Sequence, residues 1–212
     1  MRVLMFRTKT QQESHWSSTV SPLAPSRALD WMWQYLRDVP YPQILDCGPV
    51  RQATLDVLLK RGSKIYVADL LTPALNYKSR FVSEQDRTAV FLTDEFLKNL
   101  PPIPPGSLSV MTCWHLLDLL PRNALSDVVE KLWSYLRPGG VLFCLLREPQ
   151  LADGAETAWW FHSLTVIASD EKGGVRFPHP ALTNREIERL IPGGNVKTFL
   201  TRSAHREMIA IK

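Results

Sequence analysis

Short apolar runs alternate with segments of helical periodicity along most of the chain. Runs typical of buried strands predict strands at 43–47, 64–69, 88–93, 107–113 and 141–146. Between them, apolar residues that recur every three or four positions predict helices at 27–37, 52–61, 73–80 and 122–136. Strands that alternate with helices in this way form parallel pairs joined by right-handed crossovers. The pattern therefore predicts an α/β fold with a doubly wound, mainly parallel sheet.

The C-terminal part of the chain predicts a different kind of strand pairing. A capping box from Thr183 to Glu186 opens a helix that ends near Pro192. Two strands follow at 196–201 and 207–211, and their short connection favours an antiparallel pair. Together with the earlier strands they predict a seven-stranded, Rossmann-like sheet with an antiparallel C-terminal strand pair.

The chain divides into a short N-terminal segment and one domain. Residues 1–25 are polar and contain prolines, which predicts an arm or lid, and residues 26–212 form the α/β domain. The least regular part is 147–181. There, 159–168 and 175–177 predict two strands, although a helix at 159–168 is an open alternative.

Composition narrows the class of protein. The hydrophobic fraction of 45% is that of an ordinary globular domain. The net charge of +4 is spread along the chain, whereas a nucleic-acid surface needs focused basic residues, so there is no clear nucleic-acid signal. The sequence has no apolar run of membrane-spanning length and no secretory signal, so we expect a cytoplasmic protein that makes no membrane contact.

The three cysteines, Cys47, Cys113 and Cys144, lie in apolar runs or at their ends. Their spacing matches neither a zinc site nor a CxxC redox motif. We expect buried, unreactive thiols, which fits a reducing compartment.

Acidic residues and a glycine follow the predicted strands at their carboxyl ends, where α/β sheets bind ligands. Asp46 and Gly48 follow the first strand, Asp69 the second and Asp94 the third. Asp69 lies about 20 residues beyond Gly48, the spacing at which a carboxylate accepts from ribose hydroxyls in dinucleotide sites. Two alternatives stay open: Asp69 caps the next helix, and Asp94 either meets an adenine amine or caps a turn.

Aromatic and histidine side chains complete the candidate site. Trp114 and His115 follow the fourth strand, where Trp114 forms either a pocket wall or part of the core. His115 is the candidate general base, and its alternative is a structural packing role. Trp159 and Trp160 lie in an aromatic cluster of the irregular segment, and a small separate core under a long loop is one interpretation of it.

The order of these segments resembles that of class I S-adenosylmethionine-dependent methyltransferases. The resemblance extends from about residue 26 to residue 212, and its most specific element is LRPGGVLF after an amphipathic helix. The segments that carry it are ILDCGP, KIYVADL, AVFLTDEF, SLSVMTCWHLLDLLP, VVEKLWSYLRPGGVLFCLLRE and NVKTFLTRSAHREMIAIK.

The resemblance implies S-adenosylmethionine as cofactor and a small molecule as methyl acceptor. It places Asp46, Gly48 and the backbone near Cys113 around the methionine part of the cofactor. It also implies that Asp69 binds the ribose of the cofactor.

The same resemblance assigns the remaining candidates. Asp94, together with Glu95, would meet the adenine, while Trp114 and His115 would face the methyl group and the acceptor. Insertions in the position of Trp159 and Trp160 cover the substrate in that family.

One loop departs from the family's pattern. The family carries three glycines in D/E-x-G-x-G-x-G, and this chain has Val50 and Gln52 at the second and third. A left-handed valine costs about 1–2 kcal/mol. The sequence is therefore compatible with two functions. One is a small-molecule methyltransferase, and the other is a catalytically inactive member of the fold that acts as a binding or partner module. A nicotinamide-dependent oxidoreductase has less support, because GxGxxG is absent.

Overall fold

Eleven strands and seven helices are described in a computed structural model of the chain, which covers residues 23–76, 81–85, 88–148, 158–169, 177–193, 195–201 and 205–212. In chain order the strands are β1 (Leu23–Pro25), β2 (Gln43–Asp46), β3 (Lys64–Val67), β4 (Val82–Gln85), β5 (Thr88–Phe91), β6 (Leu108–Trp114), β7 (Leu136–Arg147), β8 (Trp159–Ser163), β9 (Val166–Ser169), β10 (Asn195–Leu200) and β11 (His205–Ile211). The helices are α1 (Arg27–Tyr35), α2 (Gln52–Lys60), α3 (Leu71–Leu75), α4 (Thr93–Leu97), α5 (Leu116–Leu119), α6 (Arg122–Tyr135) and α7 (Asn184–Leu190).

The main sheet has the strand order β10–β11–β7–β6–β2–β3. Strands β3, β2, β6 and β7 run parallel, as the alternation of strands and helices predicts. Strand β11 lies antiparallel to β7, and β10 lies antiparallel to β11. Every residue of β6 is buried, because this central parallel strand is covered on both faces. The carboxyl ends of β2, β6 and β7 therefore meet at one edge of the sheet.

The expected count of seven strands differs from the structure, since the main sheet has six strands within the described ranges. The segment predicted as a third parallel strand is β5, which pairs antiparallel with β4 in a separate two-stranded sheet. A hairpin partner needs only a short connection, whereas a parallel neighbour needs a crossover. The local partner explains why β5 is not part of the main sheet.

A small sheet with the order β1–β9–β8 accounts for much of the irregular segment. Residues 159–169 form the β8–β9 hairpin, which excludes the helix alternative for 159–168. Strand β1 pairs with β9, so Leu23–Pro25, at the end of the predicted arm, is part of this sheet. The rest of the predicted arm and residues 175–176 lie outside the described residues.

Two hydrophobic clusters cover the faces of the main sheet. One lies under α3, α5, α6 and α7, and it includes the three cysteines, which are buried and unpaired as predicted. The other lies under α1, α2 and the small sheet. The predicted capping box of α7 is present, with the Thr183 hydroxyl accepting from the Glu186 amide. Within the described ranges, no helix is both long and apolar enough to cross a bilayer.

The Gly139–Gly140 pair joins α6 to β7 at the element most specific to the family resemblance. Gly139 has a φ of 72°. A Cβ at Gly140 would lie 2.8 Å from the Arg137 carbonyl oxygen and 2.9 Å from that of Leu108. Both positions therefore require glycine, one for its conformation and one for close backbone approach.

Candidate functional site

The buried carboxylate of Asp46 ties the end of β2 to β6. Its Oδ1 atom accepts hydrogen bonds from Trp114 Nε1 at 2.7 Å, Thr112 Oγ1 at 2.9 Å and the Gly48 amide at 3.3 Å. Burial raises the pKa of Asp46, and these three hydrogen bonds act in the opposite direction. The residue predicted to surround a cofactor thus has its own partners within the protein.

The indole of Trp114 occupies the space above Gly48. A Cβ built on Gly48 would lie only 2.8 Å from Trp114 Cδ1, and Trp114 is 1% exposed. The ring packs edge-on against Phe143 and Phe161, with centroid distances of 5.6 and 5.3 Å. Gly48 therefore provides close approach to the protein's own side chain instead of a ligand.

The β8–β9 hairpin covers the turn that follows β2. The Phe161 amide donates to Thr54 Oγ1 of α2 at 3.3 Å, which fixes β8 on the start of that helix. The Arg51 guanidinium lies 4.9 Å from the ring centroid of Trp160, within range of a cation–π contact. The half-buried Trp160 thus packs on the turn. Val50, at the position of a glycine in the family pattern, is 66% exposed.

Asp69 caps the helix that follows its strand. Its Oδ1 atom accepts from the Thr72 amide at 2.9 Å, and its Oδ2 atom accepts from the Thr72 hydroxyl at 2.7 Å. Both oxygens are engaged, in the arrangement of the capping alternative.

Asp94 and Glu95 lie in the first turn of α4 and line a different cavity, of about 740 Å³, against α6. This cavity is lined by neither Asp46 nor Asp69. Glu95 forms an exposed ion pair with Lys98 at 2.5 Å. In the described part of the chain, the predicted adenine residues therefore line a cavity that the predicted ribose and methionine residues do not line.

The residues that the resemblance assigns to S-adenosylmethionine make contacts within the protein in this conformation. The space above Gly48 is filled by an indole, and both oxygens of Asp69 are used in a helix cap. Cys113 is 1% exposed and packs in the cluster on one face of the sheet with Cys47 and Cys144. The assignment of these residues to cofactor binding stays a prediction.

His115 is held firmly at the carboxyl end of β6. It is completely buried and has a φ of 52°, a conformation that is strained for a side chain of this kind. Its amide donates to the Leu145 carbonyl at 2.9 Å, and its Nδ1 atom lies 3.0 Å from Asp118 Oδ2. That Asp118 oxygen also accepts from the Arg147 amide at 2.9 Å.

The outer ring nitrogen of His115, Nε2, has no hydrogen-bond partner within the described residues. A histidine oriented by a carboxylate, with its other nitrogen free, is the arrangement of a general base. Complete burial keeps it from any ligand in this conformation, so the catalytic assignment of His115 also stays a prediction.

His205 and Glu207 are buried polar residues that the sequence reasoning missed. The ring of His205 lies 5.1 Å from that of His115 and 4.9 Å from that of Trp159. Burial, together with the neighbouring His115, lowers the pKa of His205 to about 3. Glu207 opens the strand predicted at 207–211, whereas His205 falls in the predicted connection before it, so the sequence pattern did not indicate that the two residues share a buried face.

A cavity of about 610 Å³ lies beside these residues, between the small sheet and strands β7 and β11. Trp159 lines it, whereas Trp160 is absent from its lining and contacts Arg51. The lining residues are Leu23, Ala24, Pro25, Arg27, Leu145, Trp159, Ile167, Leu200, Thr201, His205 and Glu207. This volume lies within the range of small-molecule sites.

Comparison with known proteins supports the fold. No protein-family model matches the sequence, and no curated protein is similar to it. Among solved structures, a protein described as a type 11 methyltransferase from Sulfolobus solfataricus shares 14% identity. The match covers 89% of this chain and 94% of that one, with a TM-score of 0.50.

A second similar structure is the 1,6-didemethyltoxoflavin-N1-methyltransferase of Burkholderia thailandensis, with bound 1,6-didemethyltoxoflavin and S-adenosylhomocysteine. It shares 16% identity, covers 87% of this chain and 76% of that one, and has a TM-score of 0.49. The fold assignment rests on the first structure: this chain has a methyltransferase-type α/β Rossmann-like fold.

Replacement of Trp114 by alanine should lower the free energy of unfolding by about 3–5 kcal/mol, because a buried ring is lost and a cavity remains. Trp114→Phe should cost about 1–3 kcal/mol, since it removes mainly the Nε1 donor to Asp46. Urea denaturation measures both. Trp160→Ala is the matched control, and a cost for Trp114→Ala no larger than for this control would contradict the filled-space assignment.

His205 should make the protein less stable in acid. Its pKa is lower in the folded state than the ordinary 6.5, so the unfolded chain binds a proton first as the pH falls. Stability is therefore lost progressively below pH 6.5, by at most about 1.4 kcal/mol per pH unit. Unfolding free energies of the wild type and His205→Gln should converge or cross as the pH is lowered, and parallel curves would refute the assignment.

Proposed function

We propose that this chain is a catalytically inactive methyltransferase-fold protein that serves as a small-molecule binding module. The observation that carries the proposal is the Trp114 indole, which lies on Gly48 where the family resemblance puts the methionine part of the cofactor. An aromatic ring and a cofactor exclude each other from the same volume, because protein interiors are close-packed.

Three further features support this reading. Asp69 directs both carboxylate oxygens to Thr72, in the arrangement of a helix cap. Val50 replaces a glycine of the first loop. Phe161, on the hairpin that covers the turn, also packs against the Trp114 ring. Phe161 and the hairpin therefore add to the contacts that hold the indole above Gly48.

Methyl transfer to a small acceptor is the second candidate. It is favoured by the fold likeness, which covers 94% of the Sulfolobus solfataricus chain, and by the orientation of His115 through Asp118. For this candidate, the indole must leave Gly48 before S-adenosylmethionine enters. The three free thiols support a reducing, cytoplasmic location for either candidate.

A thermal unfolding experiment with S-adenosylhomocysteine separates the two candidates. We expect no change in Tm at about 1 mM ligand, with an active methyltransferase as positive control in the same assay. Saturating binding at a hundredfold excess over Kd adds about 2.7 kcal/mol, which for a domain of this size raises Tm by about 5–10 °C.

Asp69→Ala is the diagnostic variant. Loss of the helix cap should lower its Tm by about 2–4 °C, and by the same amount with and without S-adenosylhomocysteine. Asp56→Ala, on the exposed face of α2, is the control for loss of a surface carboxylate. A ligand-induced shift in the wild type that Asp69→Ala abolishes would overturn the proposal in favour of methyl transfer.

A further inference from the structure

Glu207 is a buried carboxylate without a cationic partner. It is 1% exposed and lines the 610 Å³ cavity. Its Oε2 atom accepts from the Ala28 amide at 3.1 Å, and the Ser26 hydroxyl also donates to the carboxylate. Within the described residues it forms no ion pair. A buried carboxylate that is held only by neutral donors is stabilised further by a cation placed beside it.

The two known partners of Glu207 leave room for a ligand. A carboxylate has about four acceptor positions, and two of them are used at the N-terminus of α1. Burial still raises the pKa of Glu207, although Ala28 and Ser26 lower it. The capping contacts therefore offset the desolvation of this group only in part.

His205 adds a neutral hydrogen-bonding group on the same side of β11. It lies two residues before Glu207, so both side chains point to the same face of the strand. Its Nδ1 atom is buried and has no hydrogen-bond partner within the described residues. A low pKa keeps the ring neutral, and a neutral imidazole accepts at one nitrogen.

Apart from Arg27 and Thr201, the other described lining residues are apolar, and the apolar surface continues to the mouth of the cavity. Leu145, Trp159 and Ile167 are buried lining residues. Leu23 and Leu200 line the same cavity yet are 49% and 71% exposed, so they form an apolar rim. A ligand that fits has an apolar body between these walls and one polar end near β11.

We propose that this cavity binds a small organic amine in its ammonium form, with the N–H groups on Glu207 and His205 and the apolar body against Trp159. The proposal rests on the small-molecule binding role and names its ligand class. Trp159 contributes an aromatic surface of the kind that attracts ammonium groups. Arg27, the one Lys or Arg among the described lining residues, is exposed at the cavity, where water and salt screen its charge.

The test compares three probes of one shape on the full chain at neutral pH. These are 2-phenylethylamine as the cation, 2-phenylethanol as the neutral analogue and 3-phenylpropionate as the anion. Calorimetry should give the amine a Kd about tenfold lower than that of the alcohol, the scale of one charge-assisted hydrogen bond. The anion should bind more weakly than the alcohol.

Two variants locate the binding. Glu207→Gln keeps the shape and should remove the preference for amine over alcohol, whereas the exposed control Glu188→Gln should retain it. Ala24→Phe fills the cavity without touching the carboxylate and should weaken all three probes. The inference is overturned if the amine does not bind, if amine and alcohol bind equally, or if the preference survives in Glu207→Gln. Failure of the binding-module role shows separately, as an S-adenosylhomocysteine shift in the wild type.

Discussion

The hydrogen bond from Trp114 to Asp46 is the interaction on which the carboxyl edge of the sheet depends. It joins an indole and a buried carboxylate at 2.7 Å, across the two adjacent parallel strands β2 and β6. A carboxylate without partners is expensive to bury, so Asp46 requires the donors that Trp114, Thr112 and Gly48 provide. The same bond fixes the ring on Gly48, and Phe143 and Phe161 then pack around it. One contact thus gives the buried carboxylate of Asp46 a hydrogen-bond donor and holds the indole in the space above Gly48.

Because Trp114 fills the space above Gly48, the other buried polar side chains lie on the other side of this edge of the sheet. His115, Asp118, His205 and Glu207 are all buried near the ends of β6, β7 and β11. His115, Asp118 and His205 each have one buried polar atom without a hydrogen-bond partner within the described residues, and His115 is held in a left-handed conformation. Buried polar groups with unused capacity are costly to a fold, and they concentrate where ligands bind. These groups lie beside the cavity at β11, which is the basis for the proposal that a ligand binds there.

The parallel strands, their helices and the capping box of α7 were predictable because each follows from local periodicity or spacing. The buried cysteines were predictable from their apolar surroundings. The position of Trp114 was not, because a ring after a strand has several rotamers, and its contact with Gly48 depends on strands distant in sequence. Asp69 had two open roles, and only the position of Thr72 indicates which one its oxygens adopt. His205 and Glu207 stayed hidden because their burial depends on α1 and the small sheet.

The position of β11 has a consequence for the speed of ligand exchange. This strand is hydrogen-bonded to β7 on one side and β10 on the other, so the backbone that carries His205 and Glu207 has no free edge. The opposite wall is the three-stranded small sheet, which ends in the short strand β1. Local opening takes place first in the least-connected units of a protein. We therefore expect the cavity to open first by fluctuation of the small sheet, while the backbone that carries His205 and Glu207 stays fixed.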